Sequence, residues 1–152
     1  MKTRITHPVV TVAGVMEHLQ ALGDAIRKTG LPESTIHLVG MRVSQINGCG
    51  GCLDGAWRFM RTAGETDERM FALAGWREAP YYSDAERAAL AVAEAATRLA
   101  DRADPVPDEI WSEAARHFDE PALAGLVLAI ANQNFWNRLN VPIRNPAGSY
   151  RR

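Results

Sequence analysis

The sequence predicts an all-α fold, and three observations carry that expectation. Apolar residues recur at helical spacing along most of the chain. Capping and stop residues bracket those stretches. The one β-like stretch, residues 9–15, has no second strand to pair with, and one short strand makes no sheet. With 152 residues and 47% apolar content, the chain can bury one hydrophobic core, so residues 1–152 read as a single domain.

The elements follow in order. An early helix is expected over roughly residues 12–28. Ser34 then serves as an N-cap, and Ile36, Val39, Val43 and Ile46 form one apolar face. Asn47-Gly48 breaks that helix with turn chemistry. A second helix starts at Cys49 or Gly50, passes Trp57 and Met60, and stops at Ala63-Gly64. Thr66 caps a short helix ending near Trp76. After the connector Pro80-Tyr81-Tyr82, Ser83 and Glu86 match a capping box, and the alanine-rich helix they open runs to about Ala100. Its small residues, Ala88, Ala89, Ala91 and Ala93 among them, allow close helix packing. Pro107 opens a helix through His117, and Asp119-Glu120-Pro121 starts the last long one. The stripe of that last helix is Leu123, Leu126, Val127, Ile130, Ala131 and Asn134. Residues 142–150 read as an extended tail, with Arg151-Arg152 solvated beyond it. Period matching yields about six or seven helices.

Composition excludes several partners. Seventeen basic and eighteen acidic residues leave a net charge of -1, with no polybasic run. Neither nucleic acid nor an anionic membrane is therefore expected as a partner. The apolar run of residues 9–16 is short and meets Glu17-His18, so neither a signal peptide nor a membrane span is expected. The two cysteines, Cys49 and Cys52, lie three positions apart, and a bridge between them closes too small a loop to staple a fold. A reducing cytoplasm fits this usage best. The four histidines, His7, His18, His37 and His117, form no second paired motif, so neither a structural zinc site nor a cofactor is expected.

The cysteine pair is the feature that can carry chemistry. Thiolate is the nucleophile of disulfide exchange and peroxide reduction, and a helix N-terminus stabilises it through free N–H groups and the macrodipole. The second thiol, one turn away, can resolve a sulfenic acid or mixed disulfide. Helix-terminus position alone favours the earlier cysteine as the reactive one.

The segment Ser44-Gln45-Ile46-Asn47-Gly48-Cys49-Gly50-Gly51-Cys52 resembles the signature of the AhpD-like, carboxymuconolactone decarboxylase-like family. The resemblance continues through Ala63-Gly64-Glu65-Thr66, Gly75-Trp76-Arg77-Glu78, Glu86-Arg87-Ala88-Ala89-Leu90-Ala91 and Trp136-Asn137-Arg138-Leu139-Asn140-Val141, ending at Pro146-Ala147-Gly148-Ser149-Tyr150. It implies an all-α AhpD-like fold, homo-oligomers (trimer, dimer or hexamer), and thiol-dependent reduction of alkyl hydroperoxides. By the same resemblance Cys52 is the peroxide-reactive thiol and Cys49 the resolving one. Three positions depart from the family pattern. Ala56 stands four residues after the second cysteine, where a histidine is usual, and His37 stands twelve before the first, where a glutamate is usual. Gly51 replaces an aromatic residue or histidine between the cysteines.

His37 offers a substitute. It lies ten residues before Asn47, and Ala56 lies eight after Gly48. If the turn sets the two helices antiparallel, a rise of about 1.5 Å per residue brings both positions to similar heights. His37 then projects into the space left at Ala56 and acts as base for a cysteine. The leading expectation is a thiol-dependent, peroxidase-like oxidoreductase acting on hydroperoxides or disulfides and regenerated by an external thiol system. The alternatives are a lactone decarboxylase-type enzyme, or a non-catalytic oligomeric protein whose thiols sense redox state. Among other residues, the tryptophans are expected mostly in the core, with Trp57 shaping access to the thiols. Asp54 is expected as a first-turn helix charge, and Gln133, Asn134, Asn137 and Arg138 as contacts at a subunit interface.

Overall fold

A computed structural model describes residues 2–149. Among them, eight α-helices and two 3-10 turns account for the regular structure, with no strand. The helices are α1 (Pro8–Thr11), α2 (Val15–Arg27), α3 (Glu33–Ile46), α4 (Gly50–Thr62), α5 (Asp67–Ala72), α6 (Asp84–Thr97), α7 (Asp108–His117) and α8 (Glu120–Ile143). The 3-10 turns are Leu73–Gly75 and Leu99–Asp101.

Local chemistry sets most boundaries. The Ser83–Glu86 capping box is complete, with both reciprocal bonds made. Thr66 caps α5 through its hydroxyl, and Asp119 caps α8 through its carboxylate. Helix α3 lies at the centre and packs on α4, α6 and α8. One apolar cluster joins Val39 and Val43 of α3 to Ala89, Val92 and Ala93 of α6 and to Leu126 and Ile130 of α8. A second places Leu38 and Met41 against Met60, Leu73, Trp76 and Leu90. The alanines of α6 let these helices approach closely.

One expectation is corrected, at the C-terminal end. The β-like residues 9–15 form no strand, in keeping with a stretch that has nothing to pair with. Pro8 sits in the first turn of α1, the His7 ring accepts the Val9 N–H, and Gly14 takes a left-handed φ of 82° before α2. These local restraints set a short helical turn before α2, whose span, Val15–Arg27, matches the early helix expected over roughly residues 12–28. At the other end, Pro142 lies inside α8 rather than in an extended tail. It falls in the last turn, where only one intrahelical bond is lost. The N-terminal segment covers the last carbonyls of the helix, which have no intrahelical partner: the Arg4 guanidinium donates to the Pro142 carbonyl at 3.0 Å and the Arg4 N–H to that of Ile143 at 2.9 Å. Arg144 then ends the helix in a left-handed conformation, φ 56°. The expectations for Tyr150, Arg151 and Arg152 lie outside the described residues.

A buried charge centre holds α3, α6 and the segment after the first 3-10 turn together. Glu94 receives Arg42 at 2.6 Å, Arg77 at 2.7 Å and the Trp76 indole N–H at 3.0 Å.

Candidate functional site

The site is built where α3 turns into α4. Asn47 ends α3, and Gly48 turns the chain with a φ of 65°, a conformation glycine adopts freely. Cys49 then becomes the N-cap of α4, its Sγ accepting the N–H of Cys52 at 3.3 Å. The two cysteines are joined as a disulfide, with Cα atoms 5.3 Å apart. Gly51 permits a close approach from the far end of the chain: a Cβ here would stand 3.0 Å from the Asn145 carbonyl oxygen. The C-terminal tail therefore lies directly on the cysteine turn. Asp54 anchors it by accepting the Gly148 N–H at 3.0 Å while pairing with Arg58. Asp54 is thus a tail anchor rather than a first-turn helix charge.

The two sulfurs differ in what they face. Cys49 is buried (2% exposed) and contributes nothing to the wall of the neighbouring cavity. Cys52, 8% exposed, lines a cavity of about 1000 Å³ bounded by α2, α3, α4 and α8. His37 and Gly40 of α3, Ala56 of α4, and Trp136 and Asn140 of α8 share that wall. His37 and Ala56 thus border one space with Cys52. The Glu33 carboxylate lies 3.9 Å from His37 Nε2. Burial lowers the His37 pKa below 6.5, Glu33 opposing and Arg27 assisting, so the neutral, proton-accepting form dominates at neutral pH.

Amides surround the sulfur from α8. Asn140 donates through Nδ2 to Cys52 Sγ at 3.3 Å. Its Oδ1 meets His7 Nε2 at 3.1 Å and accepts from Asn145 Nδ2 at 2.8 Å. One turn back, Asn47 bonds both Asn134 and Asn137, while Asn137 and Gln133 reach the Ser44 hydroxyl. Asn134 also takes the guanidinium of Arg138 at 2.8 Å. Within this chain Gln133, Asn134 and Asn137 bond α3 and its turn, against which α8 lies, while the exposed Arg138 bonds within its own helix. Among the described residues, the Asn132 Oδ1, also on the cavity wall, is the buried side-chain polar atom left without a hydrogen-bond partner.

Sequence reasoning missed His7, Asn132 and Asn140. A signal existed for two of them. Asn132, Trp136 and Asn140 recur every four residues along α8, which places three ring or amide groups on one face. The tryptophan expectation is also revised. Trp76 is buried, Trp57 and Trp111 are exposed, and Trp136 rather than Trp57 borders the thiol cavity. Trp57 instead lies outside, flanked by Arg58 and Arg61. Among the described residues, no group of three or more His, Cys, Asp or Glu side chains is placed to hold a metal ion, and no helix is long and apolar enough to cross a membrane.

Comparison with known proteins places these features. Residues 13–95 match the model of the carboxymuconolactone decarboxylase family. The YdfG protein of Bacillus subtilis strain 168 is 33% identical over 149 residues, spanning 98% of this chain and 99% of that one. The YnjA protein of Escherichia coli K12 is 36% identical over 111 residues, 72% of this chain and 59% of that one. Among solved structures, the Agrobacterium tumefaciens protein ATU0492, of unknown function and suggested to be the antioxidant defence protein AhpD, superposes with a TM-score of 0.88. It is 31% identical, over 96% of this chain and 98% of that one. The apo debrominase Bmp8 shares the fold (TM-score 0.77) at 23% identity, over 88% of this chain and 70% of that one.

Proposed function

The chain belongs to the carboxymuconolactone decarboxylase family, and we propose that it is a thiol-dependent, peroxidase-like oxidoreductase that reduces hydroperoxides or disulfides through Cys52 and Cys49. One observation carries the reading: Cys52 faces a large cavity while bonded to a second sulfur buried behind it.

With the pair reduced, the Cys52 thiolate attacks the terminal oxygen of a hydroperoxide. An S–O bond forms, the O–O bond breaks, and the alcohol leaves with a proton. Cys49 then attacks the resulting sulfenic acid, forming the disulfide and releasing water. An external dithiol reduces the disulfide and returns both thiols. His37 is the base that takes the Cys52 proton, its neutral form being favoured by burial. A cytoplasmic homo-oligomer completes the reading.

The test is hydroperoxide consumption with a dithiol reductant. Wild type should turn over, and Cys52→Ser should fall to the uncatalysed rate; activity surviving that substitution overturns the reading. His37→Ala should shift the thiol titration of the reduced protein, and an unmoved titration removes His37 from the mechanism. The second reading is a redox sensor that forms the disulfide without turnover, favoured by the methyl group of Ala56 at the position where the family resemblance implies a histidine. Single-cycle oxidation with no steady-state consumption is its signature. Lactone decarboxylation indifferent to both cysteines would support the remaining alternative.

A further inference from the structure

We infer that Asn140 is a catalytic hydrogen-bond donor that stabilises the Cys52 thiolate, with His7 and Asn145 as positioning residues that fix which end of its amide faces the sulfur. The inference deepens the reading of Cys52 as the reacting thiol.

The orientation follows from a backbone group whose role is fixed. The Val9 N–H can only donate, and it donates to His7 Nδ1 at 3.3 Å. His7 therefore carries its proton on Nε2, which lies 3.1 Å from Asn140. The Asn140 atom facing His7 must accept, so it is Oδ1, and the same atom takes the Asn145 amide at 2.8 Å. The opposite end is then Nδ2, which lies 3.3 Å from Cys52 Sγ. Asn140 is 1% exposed and Cys52 8%, so little water competes for the sulfur. A donor held in place in such surroundings favours the anion over the neutral thiol.

This assigns the two sulfurs different donors. Cys49 takes the Cys52 backbone N–H, whereas Cys52 takes a side-chain amide brought from 88 residues away in sequence. With Ala56 offering only a methyl group, anion stabilisation reaches the sulfur from α8 instead of from its own helix. An amide can stabilise a thiolate but cannot take its proton, so a separate base is still required. The charged and titratable groups around the cavity are His37 from α3, Asp24 and Arg27 from α2, and Arg58 from α4; His7 stands behind Asn140, and α8 contributes amides.

The test uses Cys49→Ser protein, in which Cys52 is the single thiol, and follows thiolate ultraviolet absorbance against pH. Adding Asn140→Leu should raise the Cys52 pKa by about one to two units, the size expected for a lost hydrogen bond to a charged group. His7→Phe should move it in the same direction by less, and His7→Gln, which can still donate, should restore it. In the opposite single-thiol protein, Cys52→Ser, the Cys49 titration should not respond to Asn140→Leu. An unmoved Cys52 titration in folded Asn140→Leu and His7→Phe proteins overturns the inference. If Asn140→Leu does not fold, the His7 pair decides alone. Because titration requires no turnover, a protein that fails to consume peroxide yet shows these shifts loses the peroxidase reading and keeps this one. The converse result does the reverse.

Discussion

The molecule contains two buried polar centres made of different materials. Around Glu94, one carboxylate gathers two arginines and an indole N–H, and both of its oxygens are occupied. Around Cys52, the sulfur takes one uncharged amide, Asn140 of α8, which is itself held by the Asn145 amide of the tail and the His7 ring. The cavity beside them is open, and one amide oxygen on its wall has no partner. The first centre is closed in its hydrogen bonding, since both Glu94 oxygens are taken, although Glu94 and Arg77 also border a smaller pocket of about 380 Å³. The second keeps Cys52 on the wall of an open cavity, with a buried, unpaired amide oxygen on Asn132 of the same wall. A saturated centre is suited to holding helices together, whereas a buried polar group left unpaired is the exception that calls for an explanation.

The largest effect should come from breaking the closed centre. The side chains of Arg42 and Glu94 are 12% and 8% exposed, so Glu94→Leu leaves a nearly buried guanidinium without its counter-charge. A loss of about 3–5 kcal/mol is expected in denaturant unfolding. A cost below about 1 kcal/mol would mean that water reaches the pair and that the centre is not closed. The same residue sets a pH dependence. Burial pushes the Glu94 carboxyl up, but hydrogen bonds from Arg77, Trp76 and Arg42 outweigh it and leave its pKa below the ordinary 4.5. The folded value is thus depressed. Its contribution to stability is complete above the ordinary carboxylate value and is lost as pH falls through the lower folded value. Glu94→Gln should flatten that acid limb of the stability curve, and an unchanged limb would assign it to other carboxylates.

An intermediate effect is expected from the amide network. Asn137, 1% exposed, bonds both Asn47 and Ser44, yet each of these keeps a second partner, Asn134 and Gln133 respectively. Asn137→Ala should cost about 1–3 kcal/mol, with no change in the acid limb. A cost equal to that of Glu94→Leu would show that the network near the sulfur is as structural as the charge centre.

What was legible in the sequence divides along the same line. The helices with local signals were readable: Ser83 with Glu86, Thr66, Pro107 and the Asn47-Gly48 turn all act within a few residues of themselves. The cysteine turn was readable for the same reason, since its geometry belongs to one helix start. The β-like residues 9–15 form no strand, because Pro8 and Gly14 override the preference of the valines between them. The surroundings of the sulfur were not readable, because His7 meets Asn140 across 133 residues and periodicity carries no information about pairing at that distance. The amides of α8 were visible as residues, but nothing local distinguishes an asparagine facing a subunit from one facing Ser44. Gly51 was noted as a departure without its reason, which is the tail carbonyl lying against it.

The smallest effect tests how far the closed centre extends. Arg77 reaches Glu94 at 2.7 Å, nearly the same distance as Arg42, but its side chain is 61% exposed. It also lies over the Trp76 ring at 4.2 Å. Water screens an exposed pair and holding a long side chain costs entropy, so Arg77→Ala should lower stability by less than about 1 kcal/mol. Arg42→Ala leaves the carboxylate with one screened cation and the Trp76 N–H and should cost several times more. The two arginines share Glu94, so their effects should not add, and a double-mutant cycle reads the coupling directly. Equal costs for the two single substitutions would place the centre at the surface, and its contrast with the sulfur site would then rest on charge alone rather than on burial.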